Sequence, residues 1–155
     1  MEKATFAAGC FWGVEYKFSK ISGVIKTTAG YTGGRLNKPT YEDVCYKDTG
    51  HAEAVLLEFD PAVITYEKLL DAFFSMHDPT QLNRQGPDYG EQYRSAIFFH
   101  SPSQEKTARE YIERLQKSGI FKHGIVTQVV QAGEFFEAEE YHQKYIEKKG
   151  GGTCF

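Results

Sequence analysis

The order of its short apolar segments constrains the fold of this 155-residue chain more than any other feature. Segments with strand-like composition alternate with stretches whose apolar residues recur at helical spacing. The predicted order is β-α-β-β-α-β, followed by α-β-α. Helices that connect strands in this order cover one side of a mixed, largely antiparallel sheet. We therefore predict an α+β, two-layer sandwich of ferredoxin-like topology with a further C-terminal helix.

The boundaries of the elements follow from periodicity, helix caps and proline positions. Leu69, Leu70, Phe73 and Met76 should face the core from the helix that Thr65 caps and Asp78–Pro79 ends. The glycine-rich GYTGG and the stretch QLNRQGPDYGEQ are predicted to be loops. The predicted strands are Lys3–Ala8, Val24–Ala29, Ala52–Phe59, Ser95–Phe99 and Ile125–Gln131. The other predicted helices run from Cys10 to near Ser22–Gly23, from Pro102 to Gly119 and from Glu137 to Lys148, with one helical turn at Tyr41–Val44.

Composition limits the domain organisation and the partners. The length fits one domain, residues 1–155, with a mobile glycine-rich tail at 149–155. The net charge is only −3 and the charges are mixed along the chain, so we expect no nucleic-acid or membrane partner. MEKATFAAG is too weakly apolar for a secretory signal, and no stretch is long enough to span a membrane. We expect a cytoplasmic protein and, by default, a monomer.

Three cysteines, Cys10, Cys45 and Cys154, carry the possible thiol chemistry. They are odd in number and form no CxxC pair, which argues against a disulfide framework and a cysteine zinc site. We interpret Cys45 as structural. Cys154 follows three glycines, so it is either a stray thiol on a disordered end or a second thiol on a mobile arm.

The segment GCFWG places Cys10 beside Trp12, the only tryptophan. Cys10 lies at the predicted start of a helix, where unpaired N–H groups favour a thiolate, although a lone cysteine is more often a buried apolar residue. Trp12 points away from the apolar stripe of that helix. Either a loop packs over it, or it forms the apolar wall of a pocket beside Cys10.

Glu53 breaks the pattern of its predicted strand. Period-two alternation puts it on the same face as Val55, Leu57 and Phe59, which must point into the core. A carboxyl group there is partly desolvated, which raises its pKa and suits it to general acid catalysis. Alternatively, it lies at the rim of the strand, bonded to a backbone amide or a lysine.

Three further polar residues, Tyr41, Asp88 and Tyr93, lie in or beside loops marked by glycine and proline. Each is compatible with an ordinary surface position. Together with a thiol, an acid and Trp12, they would form a small polar patch within an aromatic cage.

Six segments follow one another along the chain: GCFWGVE, PTYEDVC, GHAEAV, HDPTQ, QGPDYGEQYRS and GGTC. Taken in this order, they resemble the A-type peptide methionine sulfoxide reductases over nearly the whole chain. The resemblance implies reduction of the S epimer of methionine sulfoxide, free or in proteins, with a role in the repair of oxidative damage.

The same resemblance implies a role for each candidate residue. Cys10 would attack the sulfoxide sulfur and Glu53 would protonate its oxygen. Tyr41 and Tyr93 would hydrogen-bond that oxygen, and Asp88 would orient the substrate or a water. Phe11 and Trp12 would form the wall for the S-methyl group.

The catalytic cycle is implied as well. Cys10 would become a sulfenic acid, Cys154 would displace water to form a Cys10–Cys154 disulfide, and thioredoxin would reduce that disulfide. No metal or organic cofactor is needed. Two alternatives remain at this level: a thiol peroxidase or redox sensor using the same two cysteines, and a non-catalytic module that binds oxidised methionine through its aromatic residues.

Overall fold

The computed structural model describes residues 1–149, which form eight strands, five α-helices and two short 3-10 turns. The strands are β1 (Glu2–Ala8), β2 (Val24–Thr32), β3 (Ala52–Phe59), β4 (Arg84–Gln85), β5 (Asp88–Tyr89), β6 (Ser95–Phe99), β7 (Gln128–Gln131) and β8 (Phe135–Glu137). The helices are α1 (Phe11–Ser19), α2 (Tyr41–Tyr46), α3 (Tyr66–Ser75), α4 (Pro102–Lys117) and α5 (Tyr145–Lys148), and the 3-10 turns are Glu91–Tyr93 and Glu140–His142.

Six strands form the main sheet in the order β7-β6-β1-β3-β2-β8. All neighbouring strands are antiparallel except β6 and β7, which are parallel. The predicted α+β class and mixed, largely antiparallel sheet are confirmed. Two edge strands, β7 and β8, extend the sheet on either side of the four central strands.

The main core lies between the sheet and three helices. Phe6 of β1 stacks on Phe18 of α1, with ring centroids 5.2 Å apart, and on Phe73 of α3 at 5.1 Å. Val55 and Leu57 of β3 join this cluster, as predicted from the alternation of the strand. A smaller cluster on the opposite face consists mainly of alanines, together with Phe98.

Polar side chains fix the starts of the helices as the sequence predicts. Thr65 Oγ1 accepts a hydrogen bond from the amide of Lys68, which caps α3. Ser101 caps α4 in the same way, and Pro102 occupies its first position. Within residues 1–149, none of the helices has the length and apolar character that a membrane span requires.

The predicted ends of β2 and α1 were wrong, and a glycine lies near each of them. β2 continues to Thr32, three residues beyond the predicted end, because Gly30 lets the ring of Phe135 pack against the strand where a Cβ would overlap it. α1 ends at Ser19, before the predicted Ser22–Gly23. Gly23 adopts a φ of +100°, which begins the turn into β2.

The predicted helix over Glu137–Lys148 was wrong. The chain there forms the end of β8, a 3-10 turn and the short α5, because polar groups of this segment bond to other elements. The side chain of Gln143 both donates to and accepts from the backbone of Ala29, and Lys144 has a left-handed φ of +52°. The predicted loop around Asp88 contains the β4–β5 hairpin, and β7 starts at Gln128 rather than Ile125.

Candidate active site

Cys10 occupies the N-cap position of α1, immediately after β1. Its carbonyl accepts a 3.4 Å hydrogen bond from the amide of Val14, which closes the first helical turn. The thiol is half-buried and stands at the positive end of the helix dipole, which stabilises negative charge there. The predicted helix start at Cys10 is therefore confirmed to within one residue.

Glu53 contacts the N-terminus of α1 through its carboxyl group. Its side chain is only 1% exposed, and Oε1 accepts a 3.2 Å hydrogen bond from the backbone N–H of Phe11, the residue after Cys10. Oε2 accepts a hydrogen bond of 3.2 Å from Nε2 of Gln92. Both sequence-based possibilities hold in part, since the carboxyl group is buried on the core face and is also bonded to a backbone amide.

Burial raises the pKa of Glu53 to about 7. The hydrogen bonds from Phe11 and Gln92 oppose this shift, whereas the negative charge of Asp88 adds to it. The group therefore exchanges its proton near neutral pH, a property that general acids share.

Two phenols lie close to this carboxyl group. Burial raises the pKa of Tyr41 and of Tyr93, and the charge of Glu53 raises both further. Tyr93 also interacts electrostatically with Cys10. Both phenols therefore remain protonated at neutral pH and can donate hydrogen bonds to an oxygen.

Asp88 is half-buried on β5, where it pairs with Gln85 next to the turn of the β4–β5 hairpin. Burial raises its pKa, and its charge acts on both Glu53 and Tyr93. A cavity of about 160 Å³ separates the hairpin from α1, and both Cys10 and Asp88 line it. Neither Trp12 nor Glu53 lines this cavity.

Trp12 is half-buried and contacts the C-terminal segment of the described chain. Its Nε1 donates a 2.9 Å hydrogen bond to Nδ1 of His142, and its ring stacks on Tyr145 with centroids 3.9 Å apart. A chain segment does pack over Trp12, as one of the two sequence-based interpretations required. Phe11 is fully buried against Tyr31 and His142.

The structure adds three residues that the sequence reasoning missed. Gln92 holds Glu53, and its Nε2 also lies 3.5 Å from Sγ of Cys45. Cys45 interacts electrostatically with the phenol of Tyr41, so a thiol interpreted as structural lies beside the candidate site. His142 holds Trp12. Gln92 lies in the segment QGPDYGEQYRS and Cys45 in PTYEDVC, both of which carry the family resemblance. Their place in these segments is the only sequence signal that could have indicated a role for them.

Cys154 falls outside the described residues, so its predicted position beside Cys10 stays a prediction. In residues 1–149, no three His, Cys, Asp or Glu side chains converge in a way that could hold a metal ion.

Comparison with known proteins identifies the family to which this chain belongs. A sequence model of the family described as peptide methionine sulfoxide reductase matches residues 2–155. The chain belongs to the peptide methionine sulfoxide reductase family. It is therefore an oxidoreductase, a peptide-methionine (S)-S-oxide reductase, as the sequence motifs predict.

Relatives within the reductase family are similar over nearly their full length. Peptide methionine sulfoxide reductase MsrA of Geobacter sulfurreducens is 59% identical over 154 residues, which is 99% of this chain and 95% of the relative. The reduced form of Mxr1 from Saccharomyces cerevisiae has 37% identity and a TM-score of 0.90, covering 99% of this chain and 88% of the other. Mxr1 has also been crystallised in complex with Trx2, in a structure with 29% identity and a TM-score of 0.66, covering 93% and 84%.

Proposed function

We propose that this chain reduces the S epimer of methionine sulfoxide, free or in proteins, with Cys10 as nucleophile and Glu53 as general acid. The observation that carries the proposal is the position of Glu53: a buried carboxyl group with a pKa of about 7, hydrogen-bonded to the amide next to Cys10.

A sulfoxide sulfur accepts a nucleophile only when its oxygen can leave as water or hydroxide. The Cys10 thiolate attacks the sulfur while Glu53 transfers its proton to the oxygen. The phenols of Tyr41 and Tyr93 donate hydrogen bonds to the same oxygen. Burial, with a smaller contribution from the charge of Asp88, keeps the pKa of Glu53 high enough for the acid to carry a proton near neutral pH. Water then attacks Sγ of Cys10, which breaks the bond between Cys10 and the substrate sulfur and releases methionine. Cys10 is left as a sulfenic acid, so the sulfoxide is reduced by two electrons and the thiol is oxidised by two.

Phe11 and Trp12 form the wall for the S-methyl group in this proposal, and because Phe11 is only 1% exposed, Trp12 provides most of its surface. Trp12 lies two residues after Cys10 and is partly exposed, which leaves apolar surface near the thiol for the substrate. Tyr145 supports the indole ring by stacking on it.

Cys154 then attacks the Cys10 sulfenic acid, forming a disulfide and releasing water. The position of α5 supports this step, because its contact with Trp12 holds the end of the described chain near Cys10. Four residues lie between Lys149 and Cys154, and the five Cα–Cα steps that join them span up to about 17 Å when extended. Thioredoxin is the proposed reductant, which the complex of the yeast relative with Trx2 supports.

One experiment tests both the reduction of the sulfoxide and the formation of the disulfide. One equivalent of free methionine S-sulfoxide, added to the reduced protein, should give one equivalent of methionine and a Cys10–Cys154 disulfide, detected by peptide mass spectrometry. The R epimer, tested in parallel, should leave the thiols unchanged. Rapid turnover of hydrogen peroxide without loss of the sulfoxide would instead identify a thiol peroxidase.

A further inference from the structure

The cavity of about 160 Å³ beside Cys10 has no role in the reaction as proposed so far. It lies between α1 and the β4–β5 hairpin, and Asp88 lines it together with the thiol residue. Trp12, Tyr41 and Tyr93 do not line it. The contacts proposed for the methyl group and the oxygen therefore do not use this space, which adjoins the same thiol.

The face of α1 that borders the cavity begins at the thiol and ends at a lysine. Cys10, Gly13, Val14 and Lys17 all line the cavity. Positions i, i+3, i+4 and i+7 share one face of a helix, so Lys17 lies on the same face as Cys10, two turns further along. Two turns correspond to a rise of about 10 Å. Gly13 lies between them and contributes no side chain to the space.

The size and lining of the cavity suit a single side chain. Ala8, Val14 and Met76 supply apolar surface, and the turn of the β4–β5 hairpin forms the opposite wall. A cavity of about 150 Å³ is large enough to hold benzene. A side chain with a short apolar stem and a polar end matches this lining in size and in chemistry.

Lys17 supplies a positive charge at the cavity. It is exposed, and no other lysine or arginine among residues 1–149 lines the cavity. Its Nζ forms no ion pair with a carboxylate of the described chain. Its one hydrogen bond goes to the carbonyl of Met76 at 3.5 Å, which is long for an N–H···O bond. Because an ammonium group has three donors, Lys17 can bind a carboxylate without losing a strong contact.

The negative and positive charges of the cavity act on different groups. Burial raises the pKa of Glu53 and of Tyr93, and the charge of Asp88 raises both further. Burial lowers the pKa of His77, beside the end of α3, and the charge of Lys17 lowers it further. Asp88 thus influences the reacting groups, whereas Lys17 offers its charge at the end of α3.

A residue next to the methionine sulfoxide is close enough to reach Lys17. Side chains of a helix are inclined towards its N-terminus, so the lysine stem extends back towards Cys10. The remaining distance is covered by one residue of an extended peptide, about 3.5 Å, and by the length of the neighbouring side chain. Glutamate and aspartate combine a short apolar stem with the charge that Lys17 attracts.

We propose that the cavity is a subsite for the residue adjacent to the methionine sulfoxide in a protein substrate, and that Lys17 makes this subsite selective for an acidic side chain. The proposal deepens the function proposed above and rests on it, because it requires the sulfoxide sulfur to lie at Cys10. Lys17 is then a specificity-determining residue and takes no part in the chemistry.

Short peptides with one methionine S-sulfoxide test the subsite. Glutamate, glutamine or lysine is placed directly before or directly after the sulfoxide, and both peptide ends are capped so that no terminal carboxylate competes. At one or both positions, kcat/KM should be about three- to fivefold higher with glutamate than with glutamine, the range of a partly exposed ion pair, and lowest with lysine. Raising the salt from about 0.01 to 1 M should reduce this preference.

Three variants assign the preference to one charge. Lys17→Met keeps the length of the stem and should bring the ratio of glutamate to glutamine peptide close to one. Lys17→Glu should reverse the order, so that the lysine peptide becomes the best of the three. Lys20→Met is the matched control: it changes the net charge equally at the C-cap of the same helix, at a side chain that packs over Tyr16 and does not line the cavity. It should keep the wild-type ratio.

Binding provides a second measurement that does not depend on turnover. The affinities of a Cys10→Ser protein for the same peptides, measured by calorimetry, should follow the same order. Equal kcat/KM for all three peptides at both positions would overturn the proposal, as would a preference that persists in Lys17→Met or disappears in Lys20→Met. If wild-type protein reduced neither the peptides nor free methionine S-sulfoxide, the proposed function would fail, while the calorimetric affinities would still decide whether Lys17 selects an acidic neighbour.

Discussion

The backbone amide of Phe11 donates a 3.2 Å hydrogen bond to the carboxyl group of Glu53. This contact joins the start of α1 to the beginning of β3, 42 residues apart in sequence. It holds the buried carboxyl group of Glu53 against the residue that follows Cys10. The N-terminus of α1 therefore affects two groups. Its N-cap residue is Cys10, and an amide of its first turn donates a hydrogen bond to Glu53.

Replacing Glu53 with glutamine should remove the proton donor while preserving the shape of the side chain. We expect the rate of sulfoxide reduction to fall by about 10² to 10⁴, the usual contribution of general acid catalysis. Alkylation of Cys10 by iodoacetamide should continue, which would show that the thiol is intact. Stopped-flow measurement of methionine formation in a single turnover checks the rate, and an unchanged rate would exclude Glu53 as the acid.

The raised pKa of Glu53 predicts how stability depends on pH. Between about pH 4.5 and 7, the folded protein holds a proton on Glu53 that the unfolded chain has lost, so the free energy of unfolding falls as pH rises through this window. The full effect is up to about 3 kcal/mol. Glu53→Gln should therefore be more stable than wild type at pH 8, and the two should converge near pH 4.5. Urea unfolding at several pH values measures this, and parallel curves would contradict it.

Two neighbours of Glu53 should move the alkaline limb of the activity profile in opposite directions. Gln92 lowers the pKa of Glu53 through its hydrogen bond, so Gln92→Met should extend activity to higher pH. Asp88 raises that pKa through its charge, so Asp88→Asn should end activity at lower pH. Single-turnover rates from pH 5 to 9 provide the measurement. Shifts in the same direction would show that the limb does not report Glu53.

Cys154→Ser should separate sulfoxide reduction from recycling. We expect one equivalent of methionine per protein and an accumulated Cys10 sulfenic acid, detected by dimedone labelling, with no sustained turnover by thioredoxin. Continued turnover would mean that another thiol resolves the sulfenic acid. Cys45, which lies beside Gln92 and Tyr41, would then be responsible, and the Cys45→Ser/Cys154→Ser double variant would show it by losing the residual turnover.

Local sequence pattern predicted the elements that carry the thiol and the acid. The alternation of AEAVLLEF, ended by Asp60–Pro61, predicted β3 with its observed limits. It also placed Glu53 on the core face, where the structure has it. The helical spacing after Cys10 identified α1 and showed that Trp12 lies off its apolar stripe. These features depend on residues close together in the chain, which is why periodicity reveals them.

The structure of residues 139–145 could not be predicted in the same way. Its sequence is polar and rich in glutamate, which is typical of an exposed helix. Hydrogen bonds to Ala29 and Glu15, more than a hundred residues away, oppose that helix, and no local pattern encodes them. Gly30 was missed for a related reason, because its lack of a side chain serves the distant Phe135 rather than a local turn.

The bond between Trp12 and His142 spans 130 residues and has a consequence for synthesis of the protein. Ribosomes extend a chain by about 5 to 20 residues per second, so the thiol end emerges well before its partners exist. Until residues 142 to 145 have been added, the indole of Trp12 lacks both its hydrogen-bond acceptor and the ring that stacks on it. A chain that stopped before residue 142 would therefore carry Cys10 beside an indole without its hydrogen-bond acceptor.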